Sequence, residues 1–131
     1  MTRCLTDREG AILALLLAAD FEGSAELREQ ARAVVVDGER CPCGCPTVSL
    51  AADHASSPQA RGVAERVPVA AMSNVSPAEV MLFVDDGWLS LLEFVWYGDG
   101  DAPPEFPSPD TFAAAVRQEW PPRPSGPHAP D

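Results

Sequence analysis

The chain has 131 residues, of which 46% are apolar and 22% charged, so it can bury one hydrophobic core and is not an intrinsically disordered protein. Its formal net charge of −11 argues against nucleic acid or an anionic membrane as partner, because both are polyanions and repel an acidic protein. The partner that this charge favours is a basic protein.

Two helices are predicted first along the chain. Thr6, followed three residues later by Glu9, forms a capping-box pattern, and apolar residues recur at helical spacing after it. Gly23 ends this helix, and Ser24 can cap a second, shorter helix that runs to Arg32. Together the two segments predict a helical hairpin.

The apolar run at residues 11–19 is too short to cross a bilayer, which takes about 20 residues. The charges that precede this run cancel, whereas a secretory signal begins with a positive region. We therefore expect a cytoplasmic protein whose four cysteines are reduced rather than paired.

Strands are predicted for three short segments that are rich in β-branched and other apolar residues, at 34–36, 47–52 and 67–72. Pro68 places the third of these at an edge of the sheet or near a bulge. The strongest local pattern is Asp86-Gly87 between the apolar runs 79–85 and 88–97, since Asp-Gly supplies the positive φ angles of a two-residue type I′ turn. This pattern predicts a β-hairpin.

Regular pairing outward from that turn predicts which hairpin residues share a face. One face carries Leu82, Val84, Leu89 and Leu91, and the other carries Met81, Phe83, Phe94 and Trp96. A hairpin that is apolar on both faces is expected to be central in its sheet or covered. An apolar face left exposed would favour a homodimer over a monomer, and the sequence leaves both open.

The C-terminal part predicts one more helix. Ser108-Pro109-Asp110 begins it, because proline suits the first helical position, and it runs to about Trp120. Residues 121–131 contain five prolines and are expected to form an unfolded tail. The predicted fold is one α+β domain over residues 1–120, with an N-terminal helical hairpin packed on a small antiparallel sheet of about four strands and a short C-terminal helix.

Three cysteines lie within five residues, at Cys41, Cys43 and Cys45. Their C-x-C-x-C spacing differs from the C-x2-C pairs of structural zinc sites, and a fourth ligand would have to come from Cys4 or His54. Soft thiolates can instead hold copper(I) or form a redox-labile cluster. The alternative is a Gly-Pro turn whose small cysteines fill gaps beside the helices. The sequence leaves a zinc or copper site and a packed turn both open.

Recognisable catalytic machinery is missing from the sequence. There is no G-x-S-x-G, phosphate-cradling loop, H-E-x-x-H or dinucleotide fingerprint. A Cys-His hydrolytic pair at His54 would have only Asp53 beside it as a third group. Glu93 lies within an apolar strand and is expected at the rim of the sheet or next to an arginine. A hydrolase would need a pocket that joins His54 or Glu93 to a nucleophile, so we expect no enzyme.

The negative charge is distributed unevenly. Between residues 85 and 119 there are eight acidic residues against one arginine. Asp99, Asp101 and Glu105 are the predicted contact residues for a basic protein partner. The alternative is that the acidity only keeps a small protein in solution.

Six short segments within residues 5–107 carry a family resemblance: LTDRE from Leu5, ADFEG from Ala19, ELREQ from Glu26, CGCPTV from Cys43, DGWLSLLE from Asp86 and YGD from Tyr97. They resemble a family of small bacterial proteins, mainly actinobacterial, for which no activity is established. Some of these are similar to immunity proteins that accompany bacterial toxins, and the resemblance implies no catalytic residue. The leading hypothesis is therefore a non-enzymatic, immunity-like interaction protein that binds a basic partner. The alternative is a metal-binding or thiol-redox module built on Cys41, Cys43 and Cys45.

Overall fold

The computed structural model describes residues 1–39 and 41–117 of the chain. In order, its elements are β1 (Thr2–Cys4), α1 (Asp7–Leu17), α2 (Ser24–Ala31), β2 (Val35–Asp37), β3 (Val48–Ala51), β4 (Val69–Met72), β5 (Ala78–Asp85), β6 (Trp88–Trp96), a 3-10 turn (Pro109–Thr111) and β7 (Val116–Arg117). The strands form an antiparallel sheet in the order β1-β2-β3-β6-β5-β4-β7. Nowhere in these two ranges is a helix long and apolar enough to cross a membrane.

The predicted fold is wrong in the size of its sheet and in its C-terminal helix. Seven strands form where about four were expected, and the described residues contain only the two helices α1 and α2. Strand β1 was missed because it has no apolar alternation of its own. It exists by pairing with β2, where Arg3 lies opposite Val36.

The segment predicted as a C-terminal helix makes a single 3-10 turn and then joins the sheet. The Thr111 carbonyl accepts from the Asn74 amide at 2.7 Å, and the Ala113 amide donates to the Met72 carbonyl at 2.9 Å. Phe112 buries its ring between these two bonds. Backbone hydrogen bonds to β4 and burial of an aromatic ring together outweigh the local preference for helix.

Strand β7 then pairs with β4, so β4 is not the edge strand that Pro68 suggested. Pro68 precedes the first residue of β4, where its missing amide costs no ladder hydrogen bond. The remainder of the predicted helix up to Trp120 and the proline-rich tail at 121–131 lie outside the described residues.

Helix α1 begins as its sequence predicts. The Thr6 hydroxyl accepts from the Glu9 amide at 3.1 Å, and the Glu9 carboxylate accepts from the Thr6 amide at 2.9 Å, which completes the capping box. Arg3 on β1 donates to both Glu9 carboxylate oxygens, at 2.8 and 2.9 Å. Helix α2 begins differently from the prediction, because Gly23 with φ of 93° is its N-cap and Ser24 is already helical.

The hairpin of β5 and β6 forms around the predicted turn, with φ of 52° at Asp86 and 78° at Gly87. Its register matches the prediction for the first two pairs and then shifts, so that Phe83 pairs with Leu91 and Ser90 forms a bulge. The predicted faces beyond Ser90 are therefore wrong. Leu92, Phe94 and Trp96 share a face with Leu82, whereas Leu91 lies on the other face.

One face of the sheet carries the hydrophobic core. Helices α1 and α2 pack there, and the buried side chains include Ile12, Leu16, Leu27, Val80, Leu82, Val84, Leu89, Leu92 and Phe94. On the opposite face Met81, Phe83, Leu91 and Val95 are partly exposed and lie outside this core. We call the first the covered face and the second the open face.

Gln30 fastens helix α2 to the hairpin turn. Its fully buried side chain accepts from the Leu89 amide at 2.9 Å and donates to the Gly87 and Pro58 carbonyls, both at 2.8 Å. The first bond satisfies a buried backbone amide, and the other two bind carbonyls of the turn and of the loop that precedes β4. The turn is therefore held by side-chain bonds from a distant element as well as by its own conformation.

Candidate metal centre

The three clustered cysteines lie in the connection between β2 and β3. Within it, the Gly44 amide donates to the Cys41 carbonyl at 2.9 Å, which closes a turn with Pro42 at its second position. Gly44 itself has φ of 85°, a value that glycine adopts without strain. The turn folds Cys43 back over Cys41, and the chain leaving it brings Cys45 to the same side.

The sulfur atoms of Cys41, Cys43 and Cys45 lie within 4.8 Å of one another, so the three residues lie close enough to hold a metal ion. The Cys41 and Cys43 sulfurs are 2.9 Å apart, and the Cys45 amide donates to the Cys43 sulfur at 3.4 Å. Around a tetrahedral zinc ion, thiolate sulfurs at about 2.3 Å from the metal are about 3.8 Å from one another. The observed grouping needs only small side-chain rotations to reach that geometry.

The thiols are accessible and differ in acidity. Cys43 is exposed, and Cys41 and Cys45 are partly exposed. Hydrogen bonding with Cys41 and then Cys45 raises the pKa of Cys43 to about 11. Burial raises the pKa of Cys45, but hydrogen bonds from Cys43 and Thr47 outweigh it and lower that pKa to about 7. At neutral pH Cys45 is therefore about half ionised, and a bound cation would displace the remaining thiol protons.

Thr47 fixes the end of the cysteine-bearing segment to the sheet. Its hydroxyl accepts from the Phe94 amide at 3.0 Å and lies 3.5 Å from the Cys45 sulfur, which donates to it as a thiol and can accept from it as a thiolate. Cys45 also lines a cavity of about 290 Å³ whose wall includes Arg3, Glu9 and Phe106. This cavity gives Cys45 a second accessible side, next to the start of α1.

The two residues considered as a fourth ligand are not part of this group. His54 lies beyond the far end of β3 from Cys45, and its imidazole stacks on Trp88 with ring centroids 3.7 Å apart. A four-residue strand spans about 13 Å, so β3 alone separates the two side chains widely. Cys4 is exposed on β1. Among the described residues the metal-ligand group consists of the three cysteines alone.

The hydrolase residues are also kept apart. Asp53 accepts from the Ser56 hydroxyl at 2.6 Å and from the Ala55 amide at 3.1 Å, so its carboxylate organises its own loop. These bonds lower the pKa of Asp53, with the Ser56 bond contributing most and the Ala55 bond next. Burial has a smaller effect that raises the pKa. Glu93 lies opposite Met81 on the open face. Among the described residues, neither His54 nor Glu93 belongs to the group that the three cysteine sulfurs form.

The predicted partner-binding residues share one exposed segment. Asp99, Asp101 and Glu105 are all exposed in the chain that follows β6. Phe106, directly after them, is buried and anchors the segment to the core, with its ring edge-on to Phe94. The carboxylates are therefore displayed on a segment that is fixed at both ends.

Two features of the site were missed by sequence reasoning. Thr47 was taken only as the start of a strand, and Arg3 was considered only as a charge near the first helix. Thr47 binds the Phe94 amide on a strand far along the chain, and Arg3 lines the same cavity as Cys45. No local pattern predicts either contact, because each joins residues that are distant in the sequence.

Comparison of the chain with models of protein families, with curated proteins and with solved structures finds no match. The resemblance to small actinobacterial proteins therefore stays a prediction. What the protein does has to be argued from the geometry of its own residues.

Proposed function

We propose that this protein binds a soft metal ion through Cys41, Cys43 and Cys45, with copper(I) preferred to zinc. The observation that carries the proposal is the grouping of three cysteine sulfurs within 4.8 Å in an exposed turn. Thiolate is the ligand that soft ions such as copper(I) and zinc prefer. A packed turn, the alternative reading of the segment, is less well supported because none of the three thiols is buried.

The number of ligands favours copper(I). Structural zinc sites take four protein ligands in closed tetrahedral geometry, and the described residues offer three at this position. Copper(I) is satisfied by fewer thiolates, and all three donors here are sulfur rather than the mixed sulfur and imidazole set that His54 would have provided. The short C-x-C-x-C turn also suits an ion that is delivered and removed at the surface.

The surroundings support binding of a cation at neutral pH. Because the pKa of Cys45 is about 7, this ligand is already about half ionised at neutral pH before the ion arrives. Thr47 holds Cys45 in place through its bond to β6, which limits the conformational entropy lost on binding.

The test is a titration of the fully reduced chain, without oxygen, with copper(I) and separately with zinc, followed by native mass spectrometry. We expect one copper(I) per chain in the wild type and none in the triple variant C41S/C43S/C45S. The matched control is Cys4→Ser, which removes an exposed thiol outside the cluster and should keep full binding. A triple variant that binds copper(I) as well as the wild type would overturn the proposal. Zinc bound more tightly than copper(I) would overturn its choice of metal.

A second candidate function is an acidic, immunity-like interaction protein that binds a basic protein partner. The observation in its favour is that Asp99, Asp101 and Glu105 are all exposed on one anchored segment. Opposite charge accelerates association and selects partners, at the cost of strong salt dependence.

This candidate is tested with a synthetic lysine-serine peptide as a basic probe. Binding should weaken with salt and weaken further in D99N/D101N/E105Q. The control, D20N/E22Q/E29Q, changes the net charge equally at exposed positions in α2 and in the connection between α1 and α2. Equal weakening in both variants would show a general charge effect and contradict a specific acidic segment.

A further inference from the structure

We propose that the open face of the sheet, at the end formed by β4, β5 and β7, docks a basic protein segment that also carries apolar side chains. This inference rests on the second candidate function, binding of a basic partner. It adds an apolar surface next to the acidic segment, which begins two residues after Tyr97.

The proposed surface concentrates exposed apolar side chains. Met72, Tyr97 and Val116 are 50%, 58% and 60% exposed, which places them among the few exposed large apolar residues of the described chain. Strand pairing places these side chains close together. On β4, Met72 lies opposite Glu79 of β5, and Ala70, two residues earlier, lies between Met81 of β5 and Val116 of β7. The Tyr97 hydroxyl donates to the Glu79 carboxylate at 2.6 Å, which fixes the aromatic ring beside this group.

Neither helix covers this surface. Both helices pack against the covered face, where the core residues lie. Methionine and tyrosine are enriched at protein interfaces, since methionine adapts its shape and tyrosine adds apolar area with a polar end. An apolar group at this position is therefore an interaction surface rather than part of the core.

The charge of the surface selects the partner. Glu79 and Glu93 lie on the open face among the apolar residues, and Asp99 and Asp101 lie two and four residues after Tyr97. The chain contains no lysine. Arg66, which stacks over Phe83 on the open face, lies near the hairpin turn, where it is paired with Asp85 at 2.8 Å. Arg117 follows Val116 in β7 but pairs with Val69, a core residue on the covered face, so its side chain lies on the opposite face of the sheet from Val116. The apolar group on the open face is thus rimmed by carboxylates.

This rim argues against a second copy of the chain as the occupant. In a two-fold symmetric dimer the same patch meets itself, so Glu79 and Glu93 of one copy would approach the same carboxylates of the other. Like charges held close together at an interface weaken association, and each copy has a net charge of −11. A partner with lysine or arginine around an apolar centre satisfies both parts of the surface.

The experiment uses two end-blocked eight-residue peptides as probes, one alternating lysine with leucine and one alternating lysine with serine. Binding to the full chain is followed by NMR chemical shifts, with salt held constant. We expect the lysine-leucine peptide to bind about tenfold more tightly, since it buries additional apolar area, and to shift the signals of Met72, Met81, Tyr97 and Val116.

The variant M72S/V116S should reduce binding of the lysine-leucine peptide to that of the lysine-serine peptide. Val75→Ser is the matched control, because Val75 is 72% exposed but lies in the connection between β4 and β5. Both changes are at exposed positions, and the shift mapping on the wild type tests the surface without any variant.

Three results would overturn the inference. Equal binding of the two peptides, with shifts confined to residues 99–105, would reject the open face while leaving the second candidate function standing. Absence of binding by either peptide would reject both. A concentration-dependent dimer that M72S/V116S abolishes would identify a second copy as the occupant.

Discussion

Two connections in the same sheet are built in opposite ways. The Asp86-Gly87 turn between β5 and β6 is fastened to helix α2 through Gln30 and to the preceding loop through Ala60, whose amide donates to the Gly87 carbonyl at 2.9 Å. The Cys41–Cys45 connection between β2 and β3 is exposed, and its main attachment to the rest of the sheet in the described residues is at its end, through Thr47.

The difference separates a structural connection from one that is available for ligands. The Asp86 and Gly87 carbonyls and the Leu89 amide are all hydrogen-bonded at the hairpin turn, so little can change there without loss of stability. Thiols in the cysteine connection bond mainly to each other and to Thr47, so they can exchange these weak bonds for a metal ion. The five predictions that follow test this contrast, from the largest expected effect to the smallest.

The largest effect is expected from Gly87→Ala compared with Gly44→Ala. Both glycines have positive φ, but a Cβ at Gly87 would lie 2.6 Å from the Ala60 carbonyl oxygen, whereas a Cβ at Gly44 meets nothing within 4 Å. We expect a loss of about 4 kcal/mol at Gly87, from strain and overpacking together, and about 1 kcal/mol at Gly44, from strain alone. Urea unfolding measures both. Similar losses of unfolding free energy for Gly87→Ala and Gly44→Ala would contradict the proposed difference between the two connections.

Gln30→Leu should follow, with a loss of about 2 kcal/mol, because it leaves the Leu89 amide buried without a partner, whereas the Gly87 carbonyl keeps its bond from the Ala60 amide. The control is Gln59→Leu. Gln59 donates to the Asp86 carbonyl on the exposed side of the same turn, so its loss should cost about 0.5 kcal/mol or less. Thermal unfolding of the two variants tests whether a buried hydrogen bond contributes more to the free energy of unfolding than an exposed one.

Thr47→Val should cost about 1 kcal/mol, since it removes the hydroxyl that accepts from the Phe94 amide. It should also raise the pKa of Cys45 above about 7, because the Thr47 hydrogen bond is one of the groups that lower it. The pH dependence of alkylation at Cys45, followed by peptide mass spectrometry, measures this shift. Thr47→Ser keeps the hydroxyl and should restore the wild-type profile; an unchanged profile in Thr47→Val would contradict the assigned bond.

Acid should weaken the contact between β1 and α1 beside the cysteine cavity. Burial raises the pKa of Glu9, but hydrogen bonds from Arg3 and Thr6 outweigh it, so the pKa is lowered in the folded state. The stability that Glu9 contributes, about 1 kcal/mol, is therefore complete above its unfolded pKa of about 4.3 and is lost as pH falls through the lower folded value. Urea unfolding of the wild type and Glu9→Gln should differ at pH 7 and converge below pH ~4. A constant difference across that range would contradict the argument.

The smallest effect on stability is expected from C41S/C43S/C45S. These side chains are exposed or partly exposed, so the free energy of unfolding of the metal-free protein should change by about 0.5 kcal/mol or less. Added copper(I) should raise the unfolding temperature of the wild type and leave that of the variant unchanged. A large loss of stability in the metal-free variant would instead show that the cysteines pack as part of the core.

Local sequence patterns predicted those features that depend on neighbours in the chain. The Thr6 and Glu9 capping box and the Asp86-Gly87 turn formed as expected, because both are hydrogen-bonding or φ preferences of adjacent residues. The grouping of the three cysteines was also visible from spacing alone, as residues two apart in a turn stay close.

The bulge at Ser90 was missed because the prediction assumed regular pairing of the two strands outward from the turn. It lets both Leu89 and Leu92 reach the covered face, and the adjacent pair Leu91-Leu92, which breaks strict alternation, was its only local trace. Similarly, the helix predicted after Ser108 lost to backbone hydrogen bonds with β4.

By itself, the sequence determined one acidic domain-sized chain with its first helix, its central hairpin turn and its cluster of thiols. Only the tertiary structure decided the seven-stranded sheet, its covered and open faces, and the separation of His54 from the cysteines by the length of β3. The reason is the range of the interactions involved. Caps and tight turns are set by residues a few positions apart, whereas sheet order, register and the assembly of a site depend on pairing across tens of residues, which no local pattern encodes.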